Sequence, residues 1–200
     1  MLSALGVPHV AVAPQVEEQG EGAAPETLVL ENARRKALAG LELANAHPGD
    51  MALGVDTEVV VEGRVLGKAA SVGEAREHLQ ALSGRTHEVL SGVVLIAVRE
   101  PRDVARAMRR SRSSVSHEAD ERSGVARSLV TFIQLTDATL DRYLQSGEWR
   151  DKAGAHAIQG LGSTLVRRLE GDFANVVGLP LQLLLELAPE LFPEISSYSG

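Results

Sequence analysis

The 200-residue chain contains no cysteine, which excludes disulfide scaffolds, thiol nucleophiles and cysteine–zinc sites. Aromatic residues make up only 3% of it, so any core has to be built from Leu, Val, Ile and Ala. No apolar run approaches the roughly 18 residues that a spanning helix needs. The opening Met1-Leu2-Ser3-Ala4-Leu5-Gly6 lacks the basic flank and apolar stretch of a signal peptide. The expectation is a cytoplasmic protein with no membrane partner. Phosphate loops of the Gly-x-x-x-x-Gly-Lys-Ser/Thr type, Gly-x-Gly-x-x-Gly turns, His-x-x-x-His pairs and Gly-x-Ser-x-Gly elbows are all missing. The six histidines (His9, His47, His78, His87, His117, His156) are scattered along the chain, which argues against a histidine-rich metal site. Lysine is scarce too: Lys36, Lys68 and Lys152 stand against 17 arginines.

What remains is ordinary globular material, 44% hydrophobic and 24% charged, and it suits one domain over residues 1–200. The net charge of −7 is uneven. Residues 99–127 hold eight Arg against five acids, a balance of +3, leaving −10 for the rest. An acidic body repels phosphate polymers, so nucleic acid is not an expected partner. The 99–127 segment reads as a flexible, solvated Arg/Ser-rich insertion in a hairpin, with an anionic-partner or phosphorylation patch as the alternative.

Strands and helices alternate, which favours an α/β layered fold: a mixed sheet flanked by helices. A short strand is expected at 9–13. A helix opens at Pro25-Glu26, where a missing N–H and a negative charge are both tolerated, and its apolar residues recur at helical spacing to about residue 46. An apolar strand at 51–55 stops at Asp56-Thr57, extended chain continues through 59–61, and Glu62-Gly63-Arg64 makes a hairpin turn. Ser71-Val72-Gly73-Glu74 is a capping box that opens a helix to about Leu82. Further strands are expected at 86–98, 129–135 and 164–169. Helices are expected from Thr136 or Asp137 to Gly147 and at 181–191, the last interrupted by Pro189.

Gly54-Val55-Asp56-Thr57 delivers a carboxylate and a hydroxyl at the end of an apolar strand, the edge at which open α/β sheets bind ligands. An Asp serving only as a turn or cap residue is the alternative. Two of the three lysines sit in small-residue loops, Leu66-Gly67-Lys68 and Asp151-Lys152-Ala153-Gly154, where a point charge can approach a phosphate closely. Lys36 follows Arg34-Arg35 on a helix, and by itself reads as an exposed helical charge. The glycines around Ala157-Ile158-Gln159-Gly160 and between Gly171 and Gly178 suggest backbone held close to a ligand or to another element.

Taken in order, Gly54-Val55-Asp56-Thr57, Gly67-Lys68, Leu82-Ser83-Gly84-x-x-His87-x-Val89, Gly92-Val93, Asp151-Lys152-Ala153-Gly154-x-x-x-Ile158-Gln159-Gly160 and Asn175-Val176-Val177-Gly178-Leu179-Pro180 resemble the Maf family, the septum-formation-inhibitor-like nucleoside triphosphate pyrophosphatases. The match runs from about Leu5 to Leu187. The resemblance implies an α/β fold with two lobes around a cleft, like that of the inosine triphosphate pyrophosphatases. It also implies hydrolysis of a nucleoside triphosphate to the monophosphate and pyrophosphate with a divalent cation, magnesium or manganese. It assigns Asp56 as the proton acceptor and a metal ligand, Glu18 as an acidic group near the metal, and Lys36, Lys68 and Lys152 as the basic groups of the cleft. Thr57 and Gln159 are the residues of the dTTP/UTP branch; the 7-methyl-GTP branch has Gln and Glu there. The partners implied are the nucleotide itself and, among proteins, a second copy of the chain as a homodimer.

Three features depart from the family pattern. Ala69 stands where Pro usually follows Gly-Lys, and Val55 replaces an Ala. Nothing matches the family's opening Ser-x-Ser-Pro-Arg-Arg loop. The expectation on that point is a start codon upstream of Met1, with a truncated relative that binds nucleotide but turns it over weakly as the alternative.

Overall fold

Two long strands organise the chain. The computed structural model describes residues 1–16, 23–98 and 121–193. Strand β1 (Met51–Val61) runs antiparallel to β3 (Thr86–Ala97), in register from Met51 opposite Ala97 to Val60 opposite Glu88. A strand of 12 residues spans about 40 Å, long enough to pass through two packed regions. The short β2 (Arg64–Leu66) folds back on the end of β1 after the turn at Glu62-Gly63. Strand β4 (Glu121–Phe132) pairs with the other edge of β3, and β5 (Val166–Glu170) pairs with β4. The order is β2-β1-β3-β4-β5.

The helix-flanked sheet expected from the alternating elements is present, and every strand pairing among the described residues is antiparallel. Asp56 and Thr57 therefore do not end a strand; they lie in the middle of β1. The chain stays extended there because the Asp56 carboxyl finds partners on a neighbouring helix instead of capping a turn.

Helix α1 (Pro25–Leu43) lies across β1 and β3 and buries Ala33, Ala37, Leu38 and Leu41 against Val94, Ile96 and Val98. Alternate residues of β3, Val93 and Leu95, face the other way and pack with Leu184, Ala188 and Phe192, where helix α5 (Leu181–Leu187) and a 3₁₀ turn (Pro189–Leu191) cover the sheet. Period-2 alternation thus gives β3 two buried faces at this end. At the other end, Val59, Val89, Val130 and Phe132 join helices α2 (Val72–Leu82) and α3 (Asp137–Ser146) in a separate core that includes Tyr143 and Trp149. The short helix α4 (Phe173–Val177) docks through Asn175, which donates to the Val89 carbonyl at 3.0 Å and to Ser128 Oγ at 2.9 Å. The two lobes are these two packed regions, and the polar, small-residue middle of the strands lies between them: Asp56 opposite Gly92, Thr57 opposite Ser91.

Several element boundaries move. Residues 7–16 contain no strand: Val10 is exposed and the segment has no sheet partner. Within the 99–127 segment, residues 99–120 lie outside the described residues, but 121–127 belong to β4. Its arginines are held in ion pairs: Arg127 bridges Glu26 (2.6 Å) and Glu88, and Arg122 pairs with Glu190 and donates to the Leu187 carbonyl at 2.5 Å. Such pairs let a basic sequence lie on a sheet. The strand expected at 164–169 starts at Val166, because residues 160–165 form a 3₁₀ turn (Gly160–Leu165). Among the described residues, no helix is long and apolar enough to cross a membrane.

Candidate active site

The site begins with two glycines. A Cβ on Gly54 would lie 1.9 Å from the Ala33 carbonyl oxygen, and one on Gly92 would lie 2.4 Å from that of Val29. Both opposing atoms are backbone of α1, so the helix sits directly on the strands only because neither position carries a side chain. Seated there, the Asn32–Lys36 face of α1, one helical turn long, meets the Asp56 carboxylate. Asn32 Nδ2 donates to Oδ2 at 3.2 Å and Lys36 Nζ donates to Oδ1 at 2.5 Å. Asp56 is 4% exposed and the Lys36 side chain 22%. A carboxylate buried to this degree needs partners of this kind. Lys36 is therefore not the exposed helical charge that its local sequence suggests. Beside Asp56, the Thr57 hydroxyl is 2.7 Å from Ser91 Oγ across the strand pair.

The other two lysines arrive from separate loops that meet. Lys68 forms an isolated antiparallel bridge with Ala153, and the Gly154 N–H donates to the carbonyls of Leu66 (2.7 Å) and Gly67 (3.0 Å). Asp56, Thr57, Lys36, Lys68 and Lys152 all line one open cavity of about 210 Å³. Asp151 and His156 share it, and Val176, Val177 and Gly178 at the end of α4 complete its wall. Three lysines against two aspartates make this a locally basic cavity in a chain of net charge −7, the electrostatics that favour a polyanion.

Not every expected residue converges. Gln159 is exposed and lies at the head of the 160–165 turn, outside the cavity lining. Glu18 lies outside the described residues. Among the described residues, no three His, Asp or Glu side chains cluster as a metal site.

Three neighbours escaped the sequence reading. Asn32 and Ser91 are polar residues that are fully buried at the site; nothing local distinguishes them from ordinary helix and strand residues. The third is His156. Its Nε2 is 3.1 Å from His87 Nε2, and both rings pack edge-on against Phe132. Burial, reinforced at His87 by its neighbour, pushes the pKa of His87 down to about 3; burial pushes that of His156 down to about 4. The pair is neutral near pH 7, with one ring donating and the other accepting.

The profile of the Maf-like proteins matches residues 1–191. The chain is similar to a dTTP/UTP pyrophosphatase of Bacillus cereus (strain ATCC 10987 / NRS 248), with 39% identity over 186 residues that cover 92% of this chain and 80% of that one. It is similar to a dTTP/UTP pyrophosphatase of Symbiobacterium thermophilum, 38% identical over 202 residues, covering 100% of this chain and 92% of that one. A Bacillus anthracis protein of the same name is 38% identical over 186 residues, 92% of this chain and 85% of its own. With the match extending over nearly its whole length, the chain belongs to the Maf family.

Proposed function

We propose that this protein hydrolyses nucleoside triphosphates, dTTP and UTP foremost, to the monophosphate and pyrophosphate. The observation that carries the reading is the convergence of Lys36, Lys68 and Lys152 with Asp56 in one cavity. Cleavage of a phosphoanhydride depends mostly on positioning and on stabilising charge at the phosphate oxygens. The three ammonium groups supply that charge. Water adds across the anhydride between the α and β phosphates, and Asp56 takes the proton the water gives up. Asn32 and Lys36 hold the Asp56 carboxylate in a fixed orientation for that step.

A divalent cation fits the donor set. Magnesium and manganese accept one or two carboxylates, with substrate phosphates completing the shell, and the cavity places the hard oxygen donors of Asp56 and Asp151 beside three phosphate-binding lysines. Asp56 would hold the cation, with Glu18 as the second acidic group. When bound, the cation neutralises phosphate charge. Base choice rests on Thr57 and Gln159. A glutamine amide presents a donor and an acceptor together, which complements the N3–H and O4 of uracil and thymine.

The test is a pyrophosphate-release panel over dTTP, UTP, CTP, GTP and 7-methyl-GTP in magnesium and in manganese. The expected order puts dTTP and UTP first. Asp56→Asn keeps the shape and removes the base, and should lower kcat by about 10²-fold or more. Near-normal turnover in that variant, or a preference for 7-methyl-GTP, defeats the proposal.

A further inference from the structure

Residues 147–150, directly after helix α3, do not line the cavity, yet they are firmly held. The helix ends at Gly147 in the left-handed conformation, and the chain turns back. Trp149 is buried and its indole N–H donates to the Leu144 carbonyl at 3.1 Å, while the Glu148 N–H donates to Ser146 Oγ at 3.2 Å. Glu148 is thereby fixed on both sides. Its carboxylate accepts two backbone N–H groups, from Leu161 to Oε1 at 2.9 Å and from Gly162 to Oε2 at 3.0 Å. These N–H groups belong to the first turn of the 3₁₀ segment at Gly160–Leu165, an end of the segment that favours a negative charge.

The same stretch of chain is held at its other end. The Ala157 N–H donates to the Tyr143 hydroxyl at 2.9 Å. Burial, the dominant effect, pushes the Tyr143 pKa up to about 12, so this acceptor is a neutral phenol. Residues 157–162 thus form a closed loop. A Cβ on Gly162 would lie 2.1 Å from the Ala157 carbonyl oxygen, so the loop's two ends touch. Gly160 has φ +60, and a Cβ there would lie 2.6 Å from Glu148 Oε1; glycine is required both for the conformation and for the close carboxylate. At the apex, between the Tyr143 and Glu148 anchors, is Gln159.

We infer that Glu148 is a positioning residue for Gln159, and that through the loop it sets the enzyme's choice of nucleobase without touching substrate. The inference rests on the assignment of Gln159 as the base-reading residue. An amide that can swing or flip pairs with more than one base edge, since its donor and acceptor exchange places. Anchoring the loop backbone at Leu161 and Gly162 fixes the point from which the Gln159 side chain projects and so narrows its swing, and two charge-assisted bonds do it more firmly than neutral ones would.

Three variants and two measurements test this. In Glu148→Ala, KM for dTTP should rise about tenfold with kcat within a few-fold of the parent, and the ratio of kcat/KM for dTTP over dCTP should fall about tenfold, the pattern of lost orientation at a distance. Glu148→Gln retains a carbonyl for one of the two N–H groups and should fall between the parent and Glu148→Ala. Hydrogen exchange of the folded protein should show the Leu161 and Gly162 amides losing protection in Glu148→Ala while β1 and β3 keep theirs. Equal losses for both nucleotides, or unchanged exchange at Leu161 and Gly162, would overturn the inference. Gln159→Ala separates the two levels. If it alters the nucleotide ratio and Glu148→Ala does not, only the positioning role fails. If it leaves the ratio unaltered, the assignment of Gln159 fails, and the inference with it.

Discussion

Replacing Gly54 with alanine probes how the site is assembled. Gly54 lies on β1 two residues before Asp56, and its Cβ would sit 1.9 Å from the Ala33 carbonyl oxygen and 2.7 Å from the Ala37 nitrogen. Both are helix backbone, so no side chain can swing aside. Restoring an ordinary contact requires α1 to retreat by about 1.5 Å. Asn32 and Lys36 travel with the helix, so their contacts of 3.2 and 2.5 Å to Asp56 lengthen with it. Overpacking of this kind costs about 1–3 kcal/mol, with rigid backbone on one side placing it at the upper end. For a chain of this size that corresponds to a Tm lowered by about 6–10 °C. Activity should fall further than stability, on the order of 10²-fold, because misplacing reacting groups by about 1 Å is enough for that. Scanning calorimetry and pyrophosphate release from dTTP read the two effects. Gly73→Ala is the control. Its site in α2 has nothing closer than Ser71 Oγ at 3.8 Å, and alanine favours a helix over glycine by up to ~1 kcal/mol. A Gly54→Ala protein that melts with the parent and keeps its turnover would show that α1 does not reach Asp56 by resting on this glycine.

The remaining expectations concern the site's buried polar groups. Asn32→Leu leaves one Asp56 oxygen without its donor, and kcat should drop about tenfold while KM changes little; equal changes in both constants would contradict the orienting role. The neutral His87–His156 pair should make stability depend on pH. Both folded pKa values lie below the ordinary 6.5, so the unfolded chain binds the protons first. Their contribution is complete above pH 6.5, declines as the pH falls below it, and levels off near pH 4 and 3 as the folded rings titrate. Melting temperatures from pH 8 to 4 should therefore decline more steeply for the parent than for His156→Phe, and parallel curves would refute the assignment.

Much of this protein was legible in its residues. Helical spacing from Pro25 onward, the capping box at Ser71 and the β-branched run after Thr86 correspond to α1, α2 and β3, because backbone geometry imposes those periods on any side chain that must reach a core. Asp56, Thr57, Lys68 and Lys152 stood out as candidates because of their type, their small neighbours and the scarcity of lysine, whereas Lys36 was singled out only by the family resemblance. The strand expected at 9–13 failed for want of a partner, since a strand exists only where another edge accepts its hydrogen bonds. The basic residues 121–127 looked like solvated loop because their acidic partners, Glu26, Glu88 and Glu190, are remote in sequence.

By itself, then, the sequence determined the main helices and the long strand after Thr86, and which residue types suit a polyphosphate, since these follow from local periodicity and side-chain chemistry. Only the tertiary structure decided that Asp56 lies mid-strand under α1, that Asn32, 24 positions away, holds its carboxylate, and that the loops carrying Lys68 and Lys152 meet where Lys68 bridges Ala153. It alone placed Glu148 beneath the Gln159 loop. Those contacts depend on strand register and on how closely a helix can settle against bare backbone. Both are fixed when distant segments pack together, so neither leaves a local pattern in the chain.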